Sequence, residues 1–136
     1  MYETFEHTAD LGLRVTAADL PTLFAEAGRG LTSIIVANLD DVRPVREMSF
    51  AVPGTQLDEL LFDWLDELLY AFETQRLLFA EFDVSVDDAG LKAAARGETA
   101  DETRHRLEHE VKAITYHGLK VERTPEGYLA EVIVDI

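Results

Sequence analysis

The chain has 136 residues, a length that predicts one domain across residues 1–136. It contains 27 Asp and Glu against 12 Lys and Arg, so the domain is acidic, with a formal net charge of −15. Such a charge repels phosphates, so it argues against direct nucleic-acid binding and favours a basic protein partner or a cation, with solubility alone as the alternative explanation. The sequence contains no cysteine, no apolar run of membrane-spanning length and no basic N-terminal segment, which excludes disulfides and thiolate zinc sites and predicts a cytoplasmic protein without membrane association.

The first predicted elements are two short strands, residues 2–6 and 11–17. Apolar residues at positions 11, 13 and 15 alternate with small or polar ones, which is typical of a half-buried strand. Between the strands lies the segment His7-Thr8-Ala9-Asp10, which we expect to form a short loop. Loops held between strands often display functional side chains, and a turn-forming role is the alternative for Asp10.

A first helix is predicted next. Asp19 is a suitable N-cap, Pro21 falls in the first turn, and apolar residues recur at helical spacing as far as Ile35. Gly28 and Gly30 fall inside this helix, where glycine is unfavourable. They therefore predict either close packing against a neighbour or a break in the helix.

A strand over residues 42–52 and a second helix follow, separated by a turn at Pro53-Gly54. The second helix carries a broad apolar stripe that includes Trp64, which predicts that it forms the centre of the core. Its charged residues before Arg76 are all acidic, and like charges at helical spacing oppose helix formation slightly. A solvated face and a docking surface are the two explanations left open.

The second half of the chain predicts two β-hairpins separated by a polar loop. Their strands are residues 78–86 with 91–96 and residues 111–123 with 128–135, and the loop is 97–104. These elements predict an α+β fold in which two main helices pack on a largely antiparallel sheet.

The end of the sequence brings two carboxylates together, the side chain of Asp135 and the α-carboxylate of Ile136. Hard cations such as Ca²⁺ and Mg²⁺ prefer oxygen ligands, and neighbouring carboxylates are poorly tolerated without a compensating positive charge. The alternative is a frayed, solvated terminus.

A second pattern, His105-x-x-Glu108-His109, has the spacing of inverted zinc peptidases, in which two histidines on a helix bind zinc and the glutamate activates water. Zinc needs a further protein ligand, and little chain remains downstream to supply it. The strand-like residues from Val111 also argue against a long helix here. Phosphate-loop and nucleophile-elbow patterns are absent from the sequence, so we expect a protein that is not an enzyme.

Five blocks of the sequence together resemble the archease family. They are FEHTADLGLRV at 5–15, LLFDWLDELLY at 60–70, Gly97-Glu98 followed by His105, VKAITYHGLKV at 111–121 and VIVDI at 132–136. The resemblance implies an accessory protein of an RtcB-type RNA ligase, the enzyme that joins tRNA exon halves or broken RNA using GTP and a divalent metal. The implied role is to promote guanylylation of the ligase and its multiple turnover in tRNA splicing or RNA repair.

The resemblance also implies a metal site at Asp10, Asp135 and Ile136, with Ca²⁺ as the implied ion and Mg²⁺ or Mn²⁺ as alternatives. The expected contribution of Ile136 is its main-chain carboxylate. Three further residues match the family blocks as a possible partner-binding or functional surface without a defined role: His7, Lys112 and His117.

Two alternatives to the ligase role remain open. Within the resemblance, the alternative is a chaperone, either general or directed at a tRNA methyltransferase. Outside it, the alternative is a metal-dependent hydrolase built on the histidines at 105 and 109.

Overall fold

The computed structural model describes residues 1–7 and 9–136 as two antiparallel β-sheets and two helices that contact both sheets. In chain order the elements are β1 (Tyr2–His7), β2 (Asp10–Ala17), α1 (Leu20–Ile35), β3 (Arg46–Pro53), α2 (Leu57–Gln75), β4 (Leu77–Asp87), β5 (Gly90–Thr99), β6 (Ala113–Ile114), β7 (Lys120–Thr124) and β8 (Gly127–Asp135). The predicted α+β class is confirmed. Neither of the helices described is long and apolar enough to cross a membrane.

The larger sheet is organised around β8. It has the order β1-β2-β8-β6, and β7 also pairs with β8. Successive side chains along each strand point to opposite faces of the sheet. Leu13 and its cross-strand partner Val132 lie on the face that is buried in the core. On the opposite face Arg14 binds Glu3 at 3.1 Å and Glu131 at 2.5 Å. Opposite charges across neighbouring strands favour this register.

Helix α1 lies between this sheet and the smaller sheet, which has the order β3-β5-β4. Asp19 caps the helix as predicted, accepting a hydrogen bond from the Thr22 amide at 2.8 Å. A side chain at Gly30 would come within 2.5 Å of Leu13 in the larger sheet, and one at Gly28 within 2.8 Å of Phe82 in the smaller sheet. The two glycines therefore allow close packing on both sides, and the helix is not broken.

Helix α2 supplies the centre of the core through Trp64, which is completely buried. Its ring packs edge-on against Phe50 of β3 and Phe82 of β4, with centroid distances of 5.6 and 5.8 Å. The indole nitrogen donates a hydrogen bond to the Phe24 carbonyl of α1 at 2.8 Å, so the polar atom is satisfied. This confirms the central position predicted from the apolar stripe.

Three predicted boundaries were wrong. The strand predicted over 42–52 begins at Arg46, because a 3-10 turn at Leu39–Asp41 and its cap at Val42 occupy the preceding residues. The polar segment after residue 96 is not all loop, since β5 continues to Thr99 along β4. The strand predicted over 111–123 is interrupted, because the chain turns at residues 117–118 with φ +65° at Gly118, a conformation that glycine adopts readily.

Candidate functional site

The candidate site lies at one end of the larger sheet, where four strands align in a single row. His7 pairs with Asp10, Asp10 pairs with Asp135, and Asp135 pairs with Ala113. The loop predicted between His7 and Asp10 is therefore shorter than expected, since both residues belong to strands, while Thr8 lies outside the described residues. The fold brings residues from both chain ends into direct register.

Asp10 and Asp135 face each other as a cross-strand pair of like charges. Directly opposite residues have Cβ atoms about 5 Å apart, and an opposed pair of carboxylates destabilises a sheet. Within the described part of the chain, the side chain of Asp135 makes no hydrogen bond or ion pair, and the ion-pair partner of Asp10 is His7. The two carboxylates thus lack a full compensating charge from these residues.

His7 lies beside this pair. Its Nδ1 atom is 3.7 Å from Oδ2 of Asp10, too far for a hydrogen bond, and among the described residues this buried nitrogen has no hydrogen-bond partner. The ring meets the edge of His117, with 5.1 Å between centroids and 63° between planes. His117, in the connection between β6 and β7, therefore lies next to the site because its ring contacts His7.

The C-terminal strand is held in position by the segment around β6. The Lys112 amide donates to the Asp135 carbonyl at 2.7 Å, and the Thr115 amide and hydroxyl both donate to the Ile133 carbonyl, at 3.0 and 2.8 Å. The side chain of Ile136 packs against the core. Lys112 thus contacts the site through its backbone, while its exposed side chain makes no ion pair within the described residues.

The oxygen-rich donor set fits a hard divalent cation. Asp10 and Asp135 supply two carboxylates in register, and Ile136, which packs against the core, follows at the same strand end. Across residues 1–7 and 9–136, no three His, Asp or Glu side chains gather closely enough to hold an ion. A cation here therefore depends on main-chain oxygen or water for its remaining ligands.

The structure does not support a zinc-peptidase site at His105. Residues 105–109 are not helical, and Leu107 instead forms an isolated bridge with Val36. The ring of His105 is fully buried, with Nδ1 accepting from the Asp101 amide at 2.9 Å and Nε2 bonded to Glu98 at 3.0 Å. Both nitrogens are already engaged, so neither is available to a zinc ion.

Glu98 forms a buried hydrogen-bond network. The sequence predicts a loop at this position and does not indicate the network. The Glu98 carboxylate accepts hydrogen bonds from the Arg43 amide at 2.7 Å, from Arg104 and from His105. Burial alone would raise the pKa of Glu98, but these hydrogen bonds outweigh it and hold the pKa below its ordinary value. This network ties the end of β5 to the segment before β3 and to the segment that follows β5 itself, and its role is structural.

An exposed aromatic contact on α2 was also missed. Tyr116 stacks on Phe62 with a centroid distance of 4.0 Å and an interplanar angle of 6°, although Tyr116 itself is 66% exposed. The apolar stripe predicted for α2 does not include Phe62, and the sequence gives no sign of its contact with Tyr116. The residue after Tyr116 is His117, so the stack lies next to the row of candidate site residues.

Comparison with known proteins identifies the family. The model of the Archease protein family matches residues 2–136. The chain is 40% identical to the protein archease of Methanopyrus kandleri over 139 residues, covering 99% of both chains, and 36% identical to that of Pyrococcus furiosus, covering 99% of this chain and 98% of the relative. The solution structure of Methanobacterium thermoautotrophicum protein 1598 superimposes with a TM-score of 0.86 at 32% identity, covering 99% of this chain and 98% of that one. From the matched blocks, the shared fold and these full-length similarities, we conclude that the chain belongs to the archease family.

Proposed function

We propose that this protein is an accessory activator of an RtcB-type RNA ligase in tRNA splicing or RNA repair, promoting ligase guanylylation and multiple turnover. Family membership supports the proposal, because the sequence resemblance that implies this role extends over the whole chain. The net charge of −15 supports it as well, since an acidic protein is suited to contact a basic nucleic-acid-binding enzyme and is unsuited to contact RNA itself. In this role the protein is not itself an enzyme.

The working part of the activator, in this proposal, is a divalent-cation site formed by Asp10, Asp135 and the main-chain carboxylate of Ile136. The observation that carries it is the direct pairing of Asp10 with Asp135 across β2 and β8, without a full counter-charge from the described residues. Ca²⁺ is the ion we propose, because its flexible coordination accepts several carboxylate oxygens and water. When bound, the ion would offset two of the three negative charges at the sheet end and so relieve the repulsion between the carboxylates.

Neither alternative function gains support from the geometry. A general chaperone needs a large exposed apolar surface, whereas the exposed large hydrophobic residues of the described chain are few and include two tyrosines. A zinc hydrolase needs free histidine nitrogens, and those of His105 are both engaged. The ligase-directed role is therefore the one we carry forward.

The deciding experiment is multiple-turnover RNA ligation by the cognate ligase with and without this protein. Wild-type protein should restore turnover to a stalled ligase, and Asp135→Ala should lose that restoration, because it removes a ligand and leaves Asp10 alone. In calorimetry of the isolated protein, the same substitution should weaken Ca²⁺ binding by about tenfold or more.

Asp88→Ala is the matched control, because Asp88 is an exposed acid in the β4–β5 turn. It should restore turnover and bind Ca²⁺ as the wild type does. Full restoration by Asp135→Ala would contradict the cation site, whereas failure of the wild type to raise turnover would contradict the accessory role itself.

A further inference from the structure

The exposed stack of Tyr116 on Phe62 is unusual for the surface of this protein. Among the described residues five large hydrophobic side chains are exposed: Met1, Val45, Tyr70, Leu107 and Tyr116. Tyr70 belongs to α2, and Tyr116, from the β6–β7 connection, stacks on Phe62 of the same helix. Tyrosines that are fixed in place yet open to water are typical of binding surfaces, because little conformational entropy is lost when a partner covers them.

The sequence of α2 arranges acids around these aromatic rings. Residues spaced by four lie in a row along a helix, and one such row is Asp58, Phe62, Asp66 and Tyr70. The adjacent row is Glu59, Asp63 and Glu67, all exposed acids. In the described part of the chain none of these acids takes part in an ion pair. In the second row the acids follow one another at four-residue spacing, where like charges oppose helix formation slightly.

We propose that this surface, the α2 aromatic–acidic face (Asp58, Phe62, Asp66, Tyr70 and Tyr116), docks a protein surface that presents arginine and lysine side chains. Guanidinium and ammonium groups can make two kinds of contact with this face. They pair with its carboxylates and stack on its exposed aromatic rings. Charge complementarity also steers the encounter over long range.

Other occupants fit the face poorly. A nucleic acid would bring phosphates to a row of carboxylates. A second copy of this chain would bring another net charge of −15 to the same helix. A basic protein is the partner that satisfies both the acids and the tyrosines.

The position of the face connects it with the proposed cation site, and this part of the inference rests on the proposed function. Tyr116 is followed by His117, whose ring packs against His7 beside Asp10. A partner that covers Tyr116 therefore also reaches the sheet end where Asp10 and Asp135 meet. Docking on α2 would thus deliver the cation site to the ligase.

A first test maps the face with a defined probe, independently of any ligase. A short synthetic peptide of arginine and lysine spaced by glycine is titrated into isotopically labelled protein and followed by NMR. We expect the amide shifts to concentrate on residues 58–70 and on Tyr116. Shifts spread evenly over the acidic surface would overturn the proposal, as would a dimer that forms through Tyr116 in sedimentation without the peptide.

A second test measures the affinity of the complete protein for the cognate ligase. Tyr116→Ala should weaken binding about tenfold, and Tyr116→Phe should rescue it because the ring and its stack are retained. Asp66→Asn combined with Asp58→Asn removes both acids of the face and should slow association and reduce its salt dependence. The control pair Asp88→Asn with Glu126→Gln removes two exposed acids from turns and should leave association unchanged.

The two failures are distinguishable. If the ligase is activated and Tyr116→Ala binds it as tightly as the wild type, the docking face is wrong and the proposed function stands. If the peptide shifts localise to α2 while the ligase neither binds nor responds, the face stands and its partner is a different basic protein. Asp135→Ala separates the steps further, because it should bind the ligase normally without activating it.

Discussion

The carboxylates of Glu98 and Asp135 have contrasting surroundings in this protein. Glu98 is buried, and both oxygens of its carboxylate accept hydrogen bonds, three in all, from Arg43, Arg104 and His105. Asp135 lies at a sheet end opposite a second carboxylate, without such donors among the described residues. The first arrangement stabilises the ionised carboxyl within the folded protein alone, and the second is the arrangement on which the proposed cation site rests.

The Glu98 network predicts a specific dependence of stability on pH. Because the folded-state pKa of Glu98 is lowered, its ionised form stabilises the fold above the unfolded-state pKa, and this contribution disappears as the pH falls through the folded-state value. Glu98→Gln should therefore lower the free energy of unfolding by about 2 kcal/mol at neutral pH.

Denaturant titration at a series of pH values checks this expectation. The difference between Glu98→Gln and the wild type should shrink progressively as the pH falls below the ordinary pKa of glutamate and through the lowered folded-state pKa of Glu98, where the wild-type carboxyl also becomes neutral. A difference that stays constant down to pH 2 would mean that the lost contacts do not depend on the charge of Glu98.

At the residue scale, the residue patterns identify the candidate carboxylates and the family resemblance implies that they form one site, but neither gives their pairing. The sequence predicts Asp10 in a loop before a strand and Asp135 at the end of one, and strand register between distant segments is set by tertiary packing. The structure supplies that register. The Glu98 network could not be predicted either, because polar residues that are buried by partners far along the chain look like loop residues in a sequence.

At the scale of elements, the strongest constraint is the close approach of β4 and β5 near Gly97. A Cβ atom at this position would lie 1.7 Å from the carbonyl oxygen of Leu78, a backbone atom with no freedom to move aside. The pairing of the two strands shifts register between Phe79 and Glu81, directly after this contact. The glycine is therefore required by the packing of backbone on backbone.

Gly97→Ala should destabilise the fold by about 3 kcal/mol or more, because the two strands must separate to admit the methyl group. Gly118→Ala is the matched control, since its Cβ would meet open space and the cost is limited to a positive φ, about 1 kcal/mol. Urea midpoints of the two variants give the comparison. Equal losses would show that backbone conformation, and not the contact with Leu78, makes glycine necessary at 97.

Helices were predictable here and the last strands were not, for a physical reason. Both helices carry a local signal, since the Asp19 cap and the apolar period around Trp64 depend on nearby residues. The predicted strand over 111–123 also had apolar residues throughout. This predicted strand is interrupted because β6 and β7 pair with different parts of β8. That pairing depends on residues far from 111–123 in the sequence.

At the scale of the whole molecule, the start of β2 and the C-terminal end of β8 meet at one end of the larger sheet, whereas Met1 lies toward the other end, where its amino group donates to the Thr16 carbonyl. This arrangement makes the charge on the main-chain carboxylate of Ile136 part of the proposed site, while the Ile136 side chain serves only to anchor it against the core. The two contributions can be separated by experiment.

Extending the chain by a short neutral tag after Ile136 should weaken Ca²⁺ binding about tenfold or more, because an amide replaces the terminal carboxylate. Ile136→Leu should bind normally, since it keeps both the carboxylate and an apolar anchor. Calorimetry measures the affinities, and thermal melting verifies that both proteins are folded. Normal binding by the tagged protein would exclude the terminal carboxylate as a ligand.

The central position of β8 also determines the order in which the fold can be completed. Strands β2, β6 and β7 all pair with β8, yet β8 is synthesised after all of them. The smaller sheet can close earlier, since its strands lie within residues 46–99. Until residues 127–135 emerge, β2 has an open edge that invites pairing with other chains. A molecule that displays Asp10 opposite Asp135 is therefore one in which the larger sheet has finished folding.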